Sequence, residues 1–268
     1  MSNYVLGHDS IELQRLIKQS EFFGVLTRQL WREAGLAPGM TVLDVGCGAG
    51  DTTLLAAELV GPSGRVIGVD RSAHGLALAR RRAEAAGLTN VEFREADAAE
   101  LVLDEPVDAL VGRLVLMYFR DHAAALRRLA DHVRPGGLIV LQEIDTLGGR
   151  CEPAGALFDQ TLRWVHDAFA RASANPSMGR GLLAAFLGAG LPRPQMLLGA
   201  RVESGPESAA YASLAGIART LLPVIEANGI ATAEEVGIDT LVERLRAEAV
   251  ASGATIYAPP LIGAWARK

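Results

Sequence analysis

Residues 41–53 read Thr41-Val42-Leu43-Asp44-Val45-Gly46-Cys47-Gly48-Ala49-Gly50-Asp51-Thr52-Thr53, and this stretch decides the fold. Thr41–Val45 is aliphatic and rich in β-branched side chains, the composition of a buried strand. Glycines follow at three alternate positions, 46, 48 and 50. Lacking Cβ, they let the backbone turn sharply and approach a ligand closely. Asp51-Thr52-Thr53 and the alanine-rich run behind it read as a helix start, whose first N–H groups have no partner inside the helix. Strand, glycine turn and helix together form a cradle for a small polar ligand at the carboxyl end of a strand.

A dinucleotide site requires glycine at the first, third and sixth positions of such a loop. The sixth position counted from Gly46 is Asp51, so that fingerprint fails. Asp-x-Gly-x-Gly-x-Gly led by Asp44 instead resembles motif I of the class I S-adenosyl-L-methionine-dependent methyltransferases. On the loop alone, a nucleotide site and a purely structural turn stay open.

Outward from the loop, strands and helices alternate. Val66–Asp70 reads as a second strand ending in an acid, and Ser72 as the N-cap of the helix behind it. Val91–Glu95 is a third strand, followed by Ala96-Asp97-Ala98. Val107–Val111 is a fourth, ending in Gly112-Arg113. Asp121 caps a helix to about Val133, and Pro135-Gly136-Gly137 turns into a fifth strand over 138–142. This alternation predicts a doubly wound parallel sheet. Residues 9–34 have helical periodicity, with the Asp9/Glu12 spacing of a capping box, a break at Gly24 and a stop at Gly35. Beyond the fifth strand, helices are expected over 157–172, 180–187, 207–227 and 238–251, and strands over 194–202 and 259–268. The helical length between those two strands exceeds a simple connection.

Composition narrows the function. The 268 residues are half hydrophobic and carry a net charge of −5, enough for one sizeable core and without a basic stripe for nucleic acid. Arg80-Arg81-Arg82, the densest basic cluster, reads as an exposed helix end. Cys47 and Cys151 lack metal-ligand spacing and read as free thiols of a reducing, cytoplasmic compartment. The start of the chain is not a signal peptide, and no apolar run spans a bilayer.

Three acids then follow three successive strands: Asp44, Asp70 and Asp97. In a parallel sheet their strand ends share one edge. With Pro135-Gly136-Gly137, they make residues 37–145 resemble the class I methyltransferase core, close to the bacterial ubiquinone- and menaquinone-biosynthesis type that acts on small molecules. The resemblance implies a seven-stranded sheet of order 3-2-1-4-5-7-6 with strand 7 antiparallel, N-terminal helices over 1–36, and a C-terminal part over 146–268 with a helical substrate cap at about 206–252. It implies S-adenosyl-L-methionine as cofactor, held by Asp44, Gly46, Gly48, Gly50, Asp70, Arg71, Asp97, Ala98 and Arg113. Tyr4, in an N-terminal arm resembling that of a bacterial subgroup, is expected to close over the cofactor. Partners implied are a small-molecule methyl acceptor and, as an assembly, a homodimer, with no nucleic acid and no membrane. No catalytic metal is expected, because Gly112 and Arg113 stand where cation-dependent relatives place an acid. An Asn/Asp-Pro-Pro-Tyr sequence is missing there too, which points away from nucleic-acid and protein amino acceptors. Glu143, just past the fifth strand, and His166, on the next helix, are the catalytic candidates; His122 and Tyr118 are weaker ones. Tyr211 is expected to reach the acceptor pocket from the cap. The alternative is a protein that binds the cofactor but catalyses a non-methylating reaction, or only regulates.

Overall fold

The structure, a computed structural model, describes residues 23–268; the expected Tyr4 arm and the Asp9/Glu12 capping box lie outside them. A helix over 23–34 (α1) contains Gly24, so the break expected there does not fall within it. It stops at Gly35, at φ 95°, where the Gly35 N–H reaches the Arg32 carbonyl and the Leu36 N–H the Trp31 carbonyl.

The core alternates as expected: β1 (Thr41–Val45), α2 (Asp51–Val60), β2 (Arg65–Asp70), α3 (Ala73–Ala85), β3 (Val91–Glu95), β4 (Val107–Arg113), a short 3-10 turn (Leu116–Tyr118), α4 (His122–Asp131) and β5 (Val133–Ile144). Burial explains the strands. Val42, Leu43 and Val45 of β1 are fully buried, each worth about 1.5–3 kcal/mol against exposure. Capping sets the helix starts: Ser72 accepts the Gly75 N–H at 3.0 Å and Asp121 the Ala124 N–H at 2.9 Å.

Beyond β5 come β6 (Arg150–Glu152), α5 (Ala156–Arg171), α6 (Met178–Gly188), β7 (Gln195–Gly199), β8 (Val202–Ser204), α7 (Ala209–Ala227), α8 (Ala233–Val236), α9 (Leu241–Ser252), β9 (Thr255–Tyr257) and β10 (Leu261–Arg267). The main sheet runs β3-β2-β1-β4-β5-β10-β7. Here β10, seventh of its strands along the chain, lies antiparallel between β5 and β7. This is the expected 3-2-1-4-5-7-6 order. The single strand expected over 194–202 is two: β7 stays in the main sheet, while β8 joins a second sheet of order β6-β9-β8.

The pairing register locates the helical segment between β7 and β10. Leu261, where β10 begins, pairs with Ile144, where β5 ends, and with Gly199, where β7 ends. The segment therefore leaves and rejoins the sheet at its carboxyl edge, the edge that carries the glycine loop.

Candidate active site

The carboxyl edge is built around the turn after β1. Gly46, Gly48 and Gly50 have φ of 71°, 53° and 86°, a region that penalises any Cβ. A Cβ on Gly46 would also lie 2.6 Å from a methyl of Val115. Gly50 caps α2 with no side chain, which leaves the first helical N–H groups facing the loop.

Asp44 lies beneath this turn and is fully buried. Its Oδ2 accepts the hydroxyls of Thr52, at 2.8 Å, and Thr53, at 2.6 Å. Oδ1 is buried without a partner among the described residues. Burial pushes this carboxyl up to about 7, against the two threonine hydroxyls and the Arg113 charge.

Asp70, ending β2, is tied to the loop. Its Oδ2 accepts the Gly48 N–H at 2.9 Å and its Oδ1 the Ser72 N–H at 2.8 Å. Arg71, beside it, is half-buried. Asp97 follows β3 and accepts the Ala99 N–H at 2.8 Å, which fixes a turn through the half-buried Ala98. The Ala96 N–H bonds the Asp70 carbonyl, joining the second and third acid sites.

Arg113 ends β4 and donates to Thr27 Oγ1 at 3.2 Å. Thr27 donates in turn to Gln142 Oε1 at 2.7 Å, so the network ties α1 to β4 and β5. Burial lowers the Arg113 pKa, while Asp51 and Asp44 oppose the shift.

Arg80 and Arg81 are exposed near the end of α3 as expected of the basic cluster, and Arg82 is the exception. From α3 its Nη1 donates to the Ala49 carbonyl at 2.7 Å, and its Nη2 pairs with Asp51 at 2.6 Å. It clamps the glycine loop from behind. No local pattern announces this, because the partners stand more than thirty positions upstream.

The two catalytic candidates differ in what holds them. Glu143 is fully buried, and its Oε1 accepts the backbone N–H groups of Leu116 at 2.6 Å and Val115 at 3.0 Å. Oε2 has no partner among the described residues. Burial pushes this carboxyl up to about 8, although the N–H groups of Leu116, Val115 and Met117 pull the other way. Its hydrogen bonds hold a turn whose Leu114 takes φ 54°, left-handed and unusual for a side chain of that size. The same turn sets Val115 against Gly46. Glu143 thus shapes the edge from beneath.

His166 lies on α5, with Nδ1 2.9 Å from Thr146 Oγ1, two residues past the end of β5. Thr146 also bonds the Pro176 carbonyl, and the neighbouring Asn175 N–H bonds the Met117 carbonyl at 2.8 Å. A continuous series of contacts runs from the glycine loop through the β4 turn to this histidine. His122, the first residue of α4, is half-buried, and burial lowers its pKa. Tyr118 ends the 3-10 turn. Tyr211 lies on α7. It is 1% exposed and donates to the Gly205 carbonyl at 3.0 Å, inside the packing of α7.

The glycine cradle, the unpartnered Asp44 oxygen and the pinned Asp70 carboxylate suit a ligand with a cationic amino-acid end and a ribose. Both cysteines are buried and free. Among the described residues no group of three acids, histidines or cysteines is placed to hold a metal ion, and no helix is long and apolar enough to cross a membrane.

Comparison with known proteins adds a family. A family model described as a methyltransferase domain matches residues 36–179, more than half of the chain. Among curated relatives, a trans-aconitate 2-methyltransferase of Azoarcus sp. is 38% identical over 115 residues, 43% of this chain and 43% of the relative. A demethylmenaquinone methyltransferase of Bacillus cytotoxicus is 33% identical over 117 residues, 43% of this chain and 49% of the relative. These matches span less than half the length of each relative. The solved YcgJ protein of Bacillus subtilis superposes with a TM-score of 0.56 at 20% identity, over 92% of this chain and 98% of that one, a likeness of fold.

Proposed function

The chain belongs to this methyltransferase-domain family, and from that premise we propose that it transfers the methyl group of S-adenosyl-L-methionine to a small-molecule acceptor. The observation that carries the reading is the Asp70 carboxylate, pinned at the glycine loop by the Gly48 N–H. The cofactor, when bound, supplies a methyl group on a positively charged sulfur. Everything else is placement and electrostatics from the protein.

Asp70 is oriented to accept the two ribose hydroxyls, with the loop's N–H groups beside it. Asp97 and Ala98, after β3, flank the adenine. Asp44 underlies the amino-acid end, its free oxygen answering the cationic charge there. Arg113 balances Asp44 and Asp51 below the loop, and Arg71 borders the ribose side. Glu143 fixes the β4 turn that forms the floor beside the methyl position, and His166 stands on the acceptor side as the group able to take a proton. The segment about 206–252, rooted at the same edge and packed through α7 and α9 on α5, roofs the acceptor and keeps water out. The small size of the acceptor is consistent with the relatives named as trans-aconitate and demethylmenaquinone methyltransferases.

Titration calorimetry tests the cofactor site. Asp70→Ala removes a charged acceptor and is expected to weaken adenosylmethionine binding about tenfold or more in a folded protein. Unchanged affinity would remove Asp70 from the site. Binding of NAD in place of adenosylmethionine would overturn the function. Release of S-adenosylhomocysteine in the presence of a metabolite extract separates methyl transfer from a non-methylating or regulatory role.

A further inference from the structure

Thr146 makes two polar side-chain contacts and has one hydroxyl hydrogen to share between them. Its Oγ1 lies 3.0 Å from the Pro176 carbonyl and 2.9 Å from His166 Nδ1. A carbonyl can only accept. If the hydroxyl hydrogen pointed at Nδ1, two lone-pair-bearing oxygens would face each other at 3.0 Å with no hydrogen between them. The arrangement that satisfies both contacts has the Thr146 hydroxyl donating to Pro176 and His166 Nδ1–H donating to Thr146. A neutral imidazole carries one proton, so Nε2 is then the bare, basic nitrogen. No other partner of the ring occurs among the described residues. Thr146 itself is 4% exposed, and its own N–H bonds the same carbonyl at 3.0 Å, which holds its hydroxyl in place.

We propose that Thr146 is a positioning residue that locks His166 with Nε2 free to accept a proton, and that the acceptor is therefore a hydroxyl or amine that loses a proton on methylation. The proposal rests on the methyl-transfer reading above. In the step, the acceptor's lone pair forms the bond to the methyl carbon and the carbon–sulfur bond breaks with its electrons staying on sulfur. Nε2 takes the acceptor's proton and later passes it to solvent. A carboxylate acceptor has no proton to give and would leave this arrangement without a task.

Two measurements test the lock separately from the reaction. Nitrogen-15 NMR of the ligand-free, histidine-labelled protein, with His166 assigned through His166→Gln, reads the tautomer directly. The expected wild-type spectrum has a protonated Nδ1 and a bare Nε2. Thr146→Val keeps the backbone bond to Pro176 and should shift the ring toward the other tautomer, whereas Thr146→Ser should retain it. A wild-type ring protonated at Nε2, or a Thr146→Val spectrum like wild type, overturns the proposal. Release of S-adenosylhomocysteine is then followed with phenols, alcohols, amines and carboxylates. Turnover is expected with hydroxyl or amine acceptors, with kcat falling about tenfold or more in Thr146→Val, KM nearly unchanged, and recovery in Thr146→Ser. Turnover confined to carboxylates overturns the proposal while the methyl-transfer function stands. A protein that binds no adenosylmethionine in calorimetry overturns that function, and the proton transfer with it, even where the tautomer is as expected.

Discussion

At the scale of single residues, the edge depends on two buried acids whose proton affinity is raised by loss of water. Asp44 is pushed from 3.8 to about 7 and Glu143 from 4.5 to about 8. The sign of the linkage follows. The native state holds protons that the unfolded chain releases, so this stabilisation is complete below the unfolded pKa values and is lost as pH rises through about 7 to 8. Glu143→Gln keeps an oxygen facing the Val115 and Leu116 N–H groups but cannot titrate. It is expected to fold and to flatten the fall of stability between pH 5 and pH 8, roughly the window bounded by the shift. Glu143→Ala leaves two buried N–H groups unpaired, at about 1–3 kcal/mol each, and should lower the melting temperature by several degrees. Unfolding curves at a series of pH values read both; a Glu143→Gln slope equal to wild type would show that Glu143 does not hold the proton. Residue roles divided sharply in how far sequence revealed them. Gly46, Ser72 and Asp121 were legible because their partners lie within a few positions or because backbone φ dictates residue type. Arg82 and Glu143 were not, since a guanidinium reaching back to Ala49 and a carboxyl turned under Val115 are products of strand packing.

At the scale of elements, α5 shows how the cap is assembled. Its apolar stripe, with Phe158, Leu162, Trp164, Val165 and Phe169 buried, is plain in the sequence, and its bounds differ from the expected 157–172 by one residue at each end. Its N-terminus has no local cap, because Gly155 offers no side chain. The carboxylate of Glu248, on α9, fills that role: it accepts the Leu157 N–H at 2.9 Å and the Phe158 N–H at 3.2 Å. An acid at a helix N-terminus satisfies unpaired donors and the helix dipole together. Sequence could not supply this cap, since its donor and acceptor are 91 residues apart. The small β6-β9-β8 sheet escaped notice for a related reason: each strand has three residues, too few to show alternation. Glu248→Ala is expected to cost about 1–2 kcal/mol and to speed hydrogen exchange in the first turn of α5, with adenosylmethionine affinity little changed. Because α5 carries His166, acceptor turnover should fall more than cofactor binding. Unaltered exchange over 156–160 would mean that Glu248 does not hold the helix.

At the scale of the whole molecule, the question is whether the cap is a separate body or part of one core. The doubly wound sheet was readable because buried strands and amphipathic helices carry their periodicity along the chain. The place where the helical segment joins the sheet is not carried by periodicity: it follows from β10 running antiparallel and starting beside the end of β5, an order that the family resemblance alone implied. The packing answers in favour of one core. A single apolar cluster extends from Leu43 and Val45 in β1 through Leu116, Phe158 and Leu182 to Tyr211, Leu221 and Leu245. Separating the cap would expose apolar surface on both sides at about 25 cal/mol per Å², without the compensating entropy of a fully unfolded chain. Among the described residues, unfolding is therefore expected as one cooperative calorimetric transition, with calorimetric and van't Hoff enthalpies in agreement. Saturation at about 100 times the dissociation constant with adenosylmethionine adds about 2.7 kcal/mol to the native state. In a single unit, that ligand must raise the melting of cap helices and sheet together, even though the contacts proposed for it lie with the loops after β1, β2 and β3. Circular dichroism at helical wavelengths and fluorescence of Trp164, on α5, read in a protein with Trp31 and Trp265 replaced by Phe, should then shift by the same amount. If the Trp164 signal melted separately and did not respond to the cofactor, α5 and the helices packed on it would form an independent module, and the closure proposed for them would have to come from docking rather than from the fold.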